Sequence, residues 1–176
     1  MAEGGDEFET RRLVVRDLQE GDLDAALSVY LSNPEYLALT EGARGEPGRY
    51  DIEMLQRDYV IARATPGRHM AGVFLKTDGE LVGLLDWLEA NPSDEKPWIG
   101  LLMIRADHQR QGVASETFDG FAGQLRADGL ESVRAGVISR NSVGRALMHR
   151  LGFEPIATTT MRMASEEEVV VLERRL

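Results

Sequence analysis

A single α/β domain, built as a central mixed sheet flanked by helices, is the fold class this sequence predicts. Three observations carry it. Trp98–Ile104 is an unbroken apolar run of strand length, followed by a short polar turn and then a helical pattern. Asp78-Gly79 stands between two strand-like runs, and both turn residues tolerate positive φ, so those runs form an antiparallel hairpin. Ser132–Ile138 reads as a strand reached through the intervening helix, which makes it parallel to the central one. The length of 176 residues suits one domain, and no repeat or linker is visible.

The elements follow in order. Met1–Glu9, MAEGGDEFE, is acidic and is expected to be a disordered tail, with the domain occupying residues 10–176. Arg11–Arg16 suits a first strand. Asp22 is placed to cap a helix with Leu23, Ala26, Leu27 and Tyr30 on one face, ended by Asn33-Pro34. From Pro34 to Gly48 glycine, proline and charge predict a loop or a broken helix. A second helix is expected over about Asp51–Ala64, facing inward with Ile52, Leu55 and Tyr59. Met70–Lys76 and Glu80–Leu88 are the hairpin strands, and the acidic loop Ala90–Lys96 leads into the central strand.

After that strand, Ala114, Phe118, Phe121, Ala122 and Leu125 recur at helical spacing, and Asp128-Gly129 ends their helix. Asn141 caps a last helix, with Val143, Leu147 and Leu151 expected on its apolar side and Gly152 at its end. Pro155–Met163 and Glu168–Glu173 form a closing hairpin.

Composition removes several function classes. There is no cysteine, so disulfides, thiolate catalysis and cysteine–metal sites are excluded. His69, His108 and His149 are too scattered for a local metal motif, and no metal is expected. No apolar run of about 18 residues exists, so no membrane span is expected. The start lacks an apolar export signal, and a cytoplasmic protein is expected. The net charge of −10 suits plain solubility, or else a field that draws in a cationic amine, and it argues against general nucleic-acid binding. No nucleophile elbow, phosphate-loop or dinucleotide motif sits in its required context.

What remains is the turn Gln109-Arg110-Gln111-Gly112-Val113-Ala114, between a buried strand and a helix. The first amides of a helix have no partner inside it, and the helix dipole adds positive potential there. Small residues at Gly112 and Ala114 let a ligand approach the backbone, which makes a seat for phosphate or pyrophosphate. Gln109-x-x-Gly112-x-Ala114 resembles the acetyl-CoA signature of the GNAT acetyltransferase superfamily. Asn141-Ser142-x-Gly144-Arg145-Ala146-Leu147-Met148-His149-Arg150-Leu151-Gly152-Phe153 resembles its second signature. The close match runs from Trp98 to Phe153.

The resemblance implies a GNAT-type acyltransferase fold and transfer of an acetyl group from acetyl-CoA to a primary amine, of a small molecule or a protein. Amides from Gln111, Gly112, Val113, Ala114 and Ser115, with Arg110, would hold the pyrophosphate. The pantetheine arm would lie along Leu102, Met103 and Ile104, where the central strand parts from the next. Asn141 is expected both to cap its helix and to contact the ligand. The segment between the first two helices often covers the acceptor in this family, which makes Tyr36, Glu41, Arg44 and Tyr50 candidates.

A general base is expected on or near the central strand, yet Trp98–Ile104 holds no carboxylate. The nearest are Asp86, between apolar Leu85 and Trp87, and Glu89. Strand alternation puts these two on opposite faces, and Asp86 is preferred. The family commonly has tyrosine at the position of Met148 as the acid for the departing thiolate. A thioether cannot donate a proton, so the chain is expected to work without an acid on this helix, with Met148 near the acetyl end. A different class of reading is an acyl-CoA sensor of the same fold, lacking catalysis. A homodimer is compatible with either.

Overall fold

The computed structural model describes residues 7–46 and 48–176. One eight-stranded sheet runs through the molecule in the order β1-β2-β3-β4-β5-β6-β8-β7. The strands are β1 (Phe8–Glu9), β2 (Leu13–Asp17), β3 (Arg68–Leu75), β4 (Leu81–Leu88), β5 (Trp98–Ile104), β6 (Ser132–Ile138), β7 (Glu154–Arg162) and β8 (Glu166–Arg175). The helices are α1 (Leu23–Leu31), α2 (Pro34–Glu41), α3 (Ile52–Ala64), α4 (Val113–Ala127) and α5 (Ser142–Arg150). Every neighbouring pair is antiparallel except β5 and β6, the pair joined through α4.

Alternation along the strands divides the interior in two. Leu102 and Ile104 of β5 join Trp87, Phe118, Phe121, Met148 and Phe153 under α4 and α5. Leu101 and Met103 join Leu18, Tyr30, Leu55 and Tyr59 under α1, α2 and α3. Aromatic edges close the first layer: Trp87 meets Phe121 at 4.9 Å and Phe118 meets Phe153 at 5.3 Å between ring centres. The β3–β4 turn is closed by the Gly79 amide on the Leu75 carbonyl at 2.9 Å, with φ of +75° at Gly79, as Asp78-Gly79 predicts.

Several expectations shift. Phe8–Glu9 pairs with Val14 and Val15, so the expected tail gives way to an edge strand by Phe8; residues 1–6 lie outside the described residues. Asp22 does not cap α1 with its side chain. Its carboxylate turns back to the Gln19 amide at 2.8 Å and to Arg16 at 2.8 Å, and these hydrogen bonds hold it below its ordinary pKa against the opposing effect of burial. Pro34–Gly48 resolves as a broken helix, α2 followed by a 3-10 turn over Gly42–Gly45. Val143 is 70% exposed, and the buried side of α5 is Met148 with Leu151 at its end. Asn141 Oδ1 accepts from the Gly144 amide at 2.9 Å, and that bond fixes the rotation of the helix.

The parallel pair β5–β6 is in register at only two positions, Trp98 with Arg134 and Ile99 with Ala135. Below the pair lies a charge network. Asp94 accepts from the Trp98 indole at 2.9 Å and from Arg134 at 2.7 Å; Glu173 accepts from Arg134 at 2.8 Å and from Lys96 at 2.9 Å. It sutures the two strands where they enter the sheet, and beyond Ile99 they part. Burial would raise the Asp94 pKa, but hydrogen bonds from the Lys96 amide, Trp98 and Arg134 outweigh it; Arg134 and Lys96 likewise hold Glu173 low. A carboxylate depressed in the folded state stabilises it above the unfolded pKa, and that stability is lost as pH falls through the folded value. Thermal melts of wild type and Arg134→Met should therefore differ most near neutrality. The gap should close as pH drops below about 4, the ordinary carboxylate range. A gap that widens in acid would show that the network does not act as a suture.

Candidate active site

Where β5 and β6 part, a cleft of about 1210 Å³ opens between them. Its walls come from β5, β6, α5, the first turn of α4 and the junction of α1 with α2. Drug-sized ligand pockets run to about 300–1,000 Å³, so this cleft can take a long ligand. A second cavity of about 230 Å³ lies beside it, lined by Tyr30, Tyr50, Asp58, Arg68 and Asp86 among others. Tyr36, Thr40, Gly100, Leu101 and Met163 line both, and so mark their junction.

The turn into α4 shows why its residues have their types. Arg110 and Gly112 have φ of +60° and +78°, while Gln111 between them and the helix after them have negative φ. Alternating sign turns successive amides toward one side, a concave nest for an anion. Among the described residues the amides of 111–115 meet no protein acceptor; the Glu116 amide is the first to close the helix, onto the Gly112 carbonyl at 3.0 Å. The Gln109 side chain is spent on structure. Its amide donates to Asn33 Oδ1 at 2.8 Å and to the Ile104 carbonyl at 2.9 Å, tying the turn to the start of α2.

An acid in the first turn of such a helix, Glu116, opposes anion binding unless it is neutralised. Arg12 of the β2 approach neutralises it, with Nε at 2.6 Å from Glu116 Oε2 and its own amide at 2.7 Å from Oε1; Thr10 Oγ1 adds a bond of 2.6 Å. Burial alone would raise the Glu116 carboxyl, and these bonds hold it low. Arg12 Nη2 also reaches the Gln111 carbonyl at 3.1 Å, so one guanidinium braces both turn and helix. Sequence reasoning missed this pair. The one clue was an acid in the first turn of a helix expected to seat an anion.

Of the residues singled out for a cofactor, Leu102, Met103, Ile104, Gln109, Arg110, Gly112, Val113, Ala114, Ser115, Asn141 and Met148 all line the large cleft. Gln111 does not, and its side chain is tied to the Asp107 carbonyl at 2.9 Å. The Ile104 carbonyl is already engaged by Asn33 and Gln109, which takes it out of the strand edge expected to pair with a ligand. His149 is exposed and lines neither cavity.

Asp86 and Glu89 separate as strand alternation requires. Asp86 faces the small cavity and is 9% exposed. Arg68, diagonal to it on β3, donates Nε to Oδ1 at 3.1 Å and Nη2 to Oδ2 at 2.7 Å. Leu101 of β5 stands across from Asp86, and the bulge at Gly100 lies beside that pair, where a Cβ would stand 3.6 Å from Asp86 Oδ1. Glu89 lines neither cavity. Its carboxylate is hydrogen-bonded to His69 Nε2 at 2.9 Å, and His69 stacks on Trp87 on the other face of the sheet. Glu89 therefore lies across the sheet from Asp86, outside both cavities. Glu41 joins Asp86 in the small cavity. Tyr50 is buried there at 5.3 Å from the Tyr30 ring, and the Arg44 side chain lies outside the described residues. Desolvation, with Asp86 and Glu41 nearby, pushes the Tyr36 hydroxyl well above its ordinary pKa, so it stays a neutral donor.

Arg140, at the end of β6, closes the far wall. Nη2 and Nε hold Glu167 at 2.6 and 3.0 Å, and with Ser165 they keep that carboxyl down at about 2. Among the described residues no group of three or more His, Asp or Glu side chains could hold a metal ion, and no helix is long and apolar enough to cross a membrane.

A family model described as an acetyltransferase (GNAT) domain matches residues 12–154. A search by sequence among proteins of curated function finds no match. Among solved structures, an acetyltransferase from Thermus thermophilus superposes with a TM-score of 0.76 at 26% identity, covering 93% of this chain and 97% of its own. An acetyl transferase from Salmonella typhimurium that modifies the N-terminal serine of the 50S ribosomal subunit protein L7/L12 gives 0.76 at 16%, covering 95% and 96%. A ribosomal L7/L12 alpha-N-protein acetyltransferase in complex with coenzyme A gives 0.74 at 16%, again covering 95% and 96%. The last two likenesses are of fold. The matched segment spans the parted strands, the amide nest and the capped helix α5, and the chain belongs to the GNAT acetyltransferase family.

Proposed function

We propose that this protein transfers an acetyl group from acetyl-CoA to a primary amine by direct attack in a ternary complex. The observation that carries the reading is the cleft between β5 and β6, with amides that meet no acceptor among the described residues at one end and an acid-bearing cavity at the other. The amides of 111–115 and Arg110 take the pyrophosphate. Leu102 and Met103 offer strand edge to the pantetheine arm. The small cavity takes the amine, near Tyr36, Glu41 and Asp86. That a fold relative was solved with coenzyme A supports the choice of donor.

In the reaction the amine nitrogen attacks the thioester carbonyl, the C–S bond breaks, one proton leaves nitrogen and the thiolate gains one. Asp86 takes the amine proton: Arg68 occupies one lone pair on each oxygen and orients the group, and a carboxylate has about four. Met148 packs at the acetyl end and donates nothing. A thiol pKa of about 8.5 makes thiolate a fair leaving group, so water can protonate it. Met148→Ala and His149→Ala, assayed with an identified acceptor, test this. His149→Ala should turn over like wild type, because His149 stands outside the cleft. Met148→Ala should raise KM for acetyl-CoA severalfold by emptying the wall. If His149→Ala abolishes turnover while both substrates bind, the absence of an acid on α5 is disproved. The tyrosine replaced by Met148 also favours a second reading, an acyl-CoA sensor. Tight acetyl-CoA binding without turnover of any amine would select it.

A further inference from the structure

We infer that Arg12 is a positioning residue for the pyrophosphate seat: it grips one side of a peptide plane so that the amide on the other side faces the cleft. The inference rests on the reading of the α4 turn as that seat. Arg12 Nη2 donates to the Gln111 carbonyl at 3.1 Å. The peptide between Gln111 and Gly112 is trans, so its carbonyl and the Gly112 N–H point in opposite directions. Gly112 lines the cleft, whereas Arg12 and Gln111 do not. A carbonyl held on the Arg12 side therefore turns the Gly112 N–H toward the cleft, and that N–H meets no protein acceptor among the described residues.

The plane needs such a hold. Gly112 has φ of +78° and, without a Cβ, tolerates either orientation of the peptide before it. Arg110 sits at φ of +60°, a conformation that a side chain disfavours. Rotation of the plane would carry the N–H away and set the carbonyl oxygen against the phosphates. The Gln111 side chain donates to the Asp107 carbonyl at 2.9 Å, which anchors that side chain but not the peptide plane that follows.

The hold is itself rigid. The Arg12 carbonyl accepts from the Lys76 amide at 2.9 Å, just past the end of β3, and the Arg12 amide donates to Glu116 Oε1 at 2.7 Å. The guanidinium spans two acceptors at once, Glu116 through Nε at 2.6 Å and Gln111 through Nη2. A lysine ammonium is a point charge on a flexible stem and lacks that fork. Glu116 therefore serves the seat by aiming Arg12, although its own charge opposes an anion at a helix start.

The test is titration of the isotope-labelled chain with coenzyme A, by calorimetry and amide NMR, with circular dichroism to verify the fold. In wild type, coenzyme A should move the Gly112 amide proton downfield as a charge-assisted hydrogen bond forms. Arg12→Met should bind coenzyme A about tenfold or more weakly, the scale of one hydrogen bond to a charged group, and the Gly112 shift should vanish. Arg12→Lys keeps a cation beside Glu116 without the fork, so it should lose severalfold and also lack the shift. Arg12→Met with Glu116→Gln removes the opposing acid as well; it should regain part of the affinity but not the shift. Pantetheine, which has the arm without the phosphates, should bind wild type and all three variants alike. Arg12 variants that bind coenzyme A like wild type, or that keep the Gly112 shift, overturn the inference, as does an equal loss of pantetheine. Wild type that binds coenzyme A with the Gly112 amide unmoved overturns it and leaves the donor reading standing. Wild type that binds no coenzyme A overturns the donor reading and this inference with it.

Discussion

Gly112→Asp should abolish coenzyme A binding while the protein stays folded. Gly112 has φ of +78°, and a built Cβ would meet only Arg12 Nη2, at 3.4 Å. The backbone strain of a side chain there is about 1–2 kcal/mol, too little to unfold an ordinary domain. The new carboxylate would stand beside the amides of 111–115, which meet no protein acceptor among the described residues. It would occupy the anion seat and place its charge against the pyrophosphate. A loss of at least about 100-fold in Kd, or about 2.7 kcal/mol, is expected by calorimetric titration of coenzyme A. Gly112→Ala carries the strain without the charge, so it should lose far less. Unchanged affinity in Gly112→Asp would move the pyrophosphate away from this turn.

That turn was legible because its determinants are contiguous: an apolar strand, a glycine and a helical repeat within one stretch of chain. The same holds for Asp78-Gly79, and for Asn141, whose capping oxygen lies three residues from the Gly144 amide that donates to it. Contacts between distant segments were not legible. Arg12 and Glu116 are 104 residues apart, and nothing local to either names the other. The bond of Glu89 to His69 comes from β3 across the sheet, and nothing local to Glu89 names it. Val143 fitted an apolar stripe, but the Asn141 cap sets the rotation of a short helix and leaves it in solvent. The parting of β5 from β6 follows from register, bulge and the Asp94–Arg134–Glu173 network together, none of which a single strand's sequence encodes.

Asp86→Asn should cut turnover at least about 100-fold, the lower end of what a general base contributes, while acetyl-CoA affinity holds. The asymmetry follows from position: Asp86 lines the small cavity and not the large cleft. The pH dependence separates proton transfer from architecture. A free amine deprotonates itself as pH rises, so a variant lacking the base should recover toward wild type in alkali. A variant that had merely lost its shape would stay uniformly slow. Architecture must be watched, because Asp86 is also the partner of Arg68, whose side chain is 31% exposed. Asparagine keeps one acceptor for that guanidinium but removes its counter-charge, at a cost of about 1–3 kcal/mol. The double variant Asp86→Asn with Arg68→Met removes the stranded charge. It should regain stability and remain slow near neutral pH. If turnover returns with stability, Asp86 matters only as the partner of Arg68, and the amine loses its proton to water.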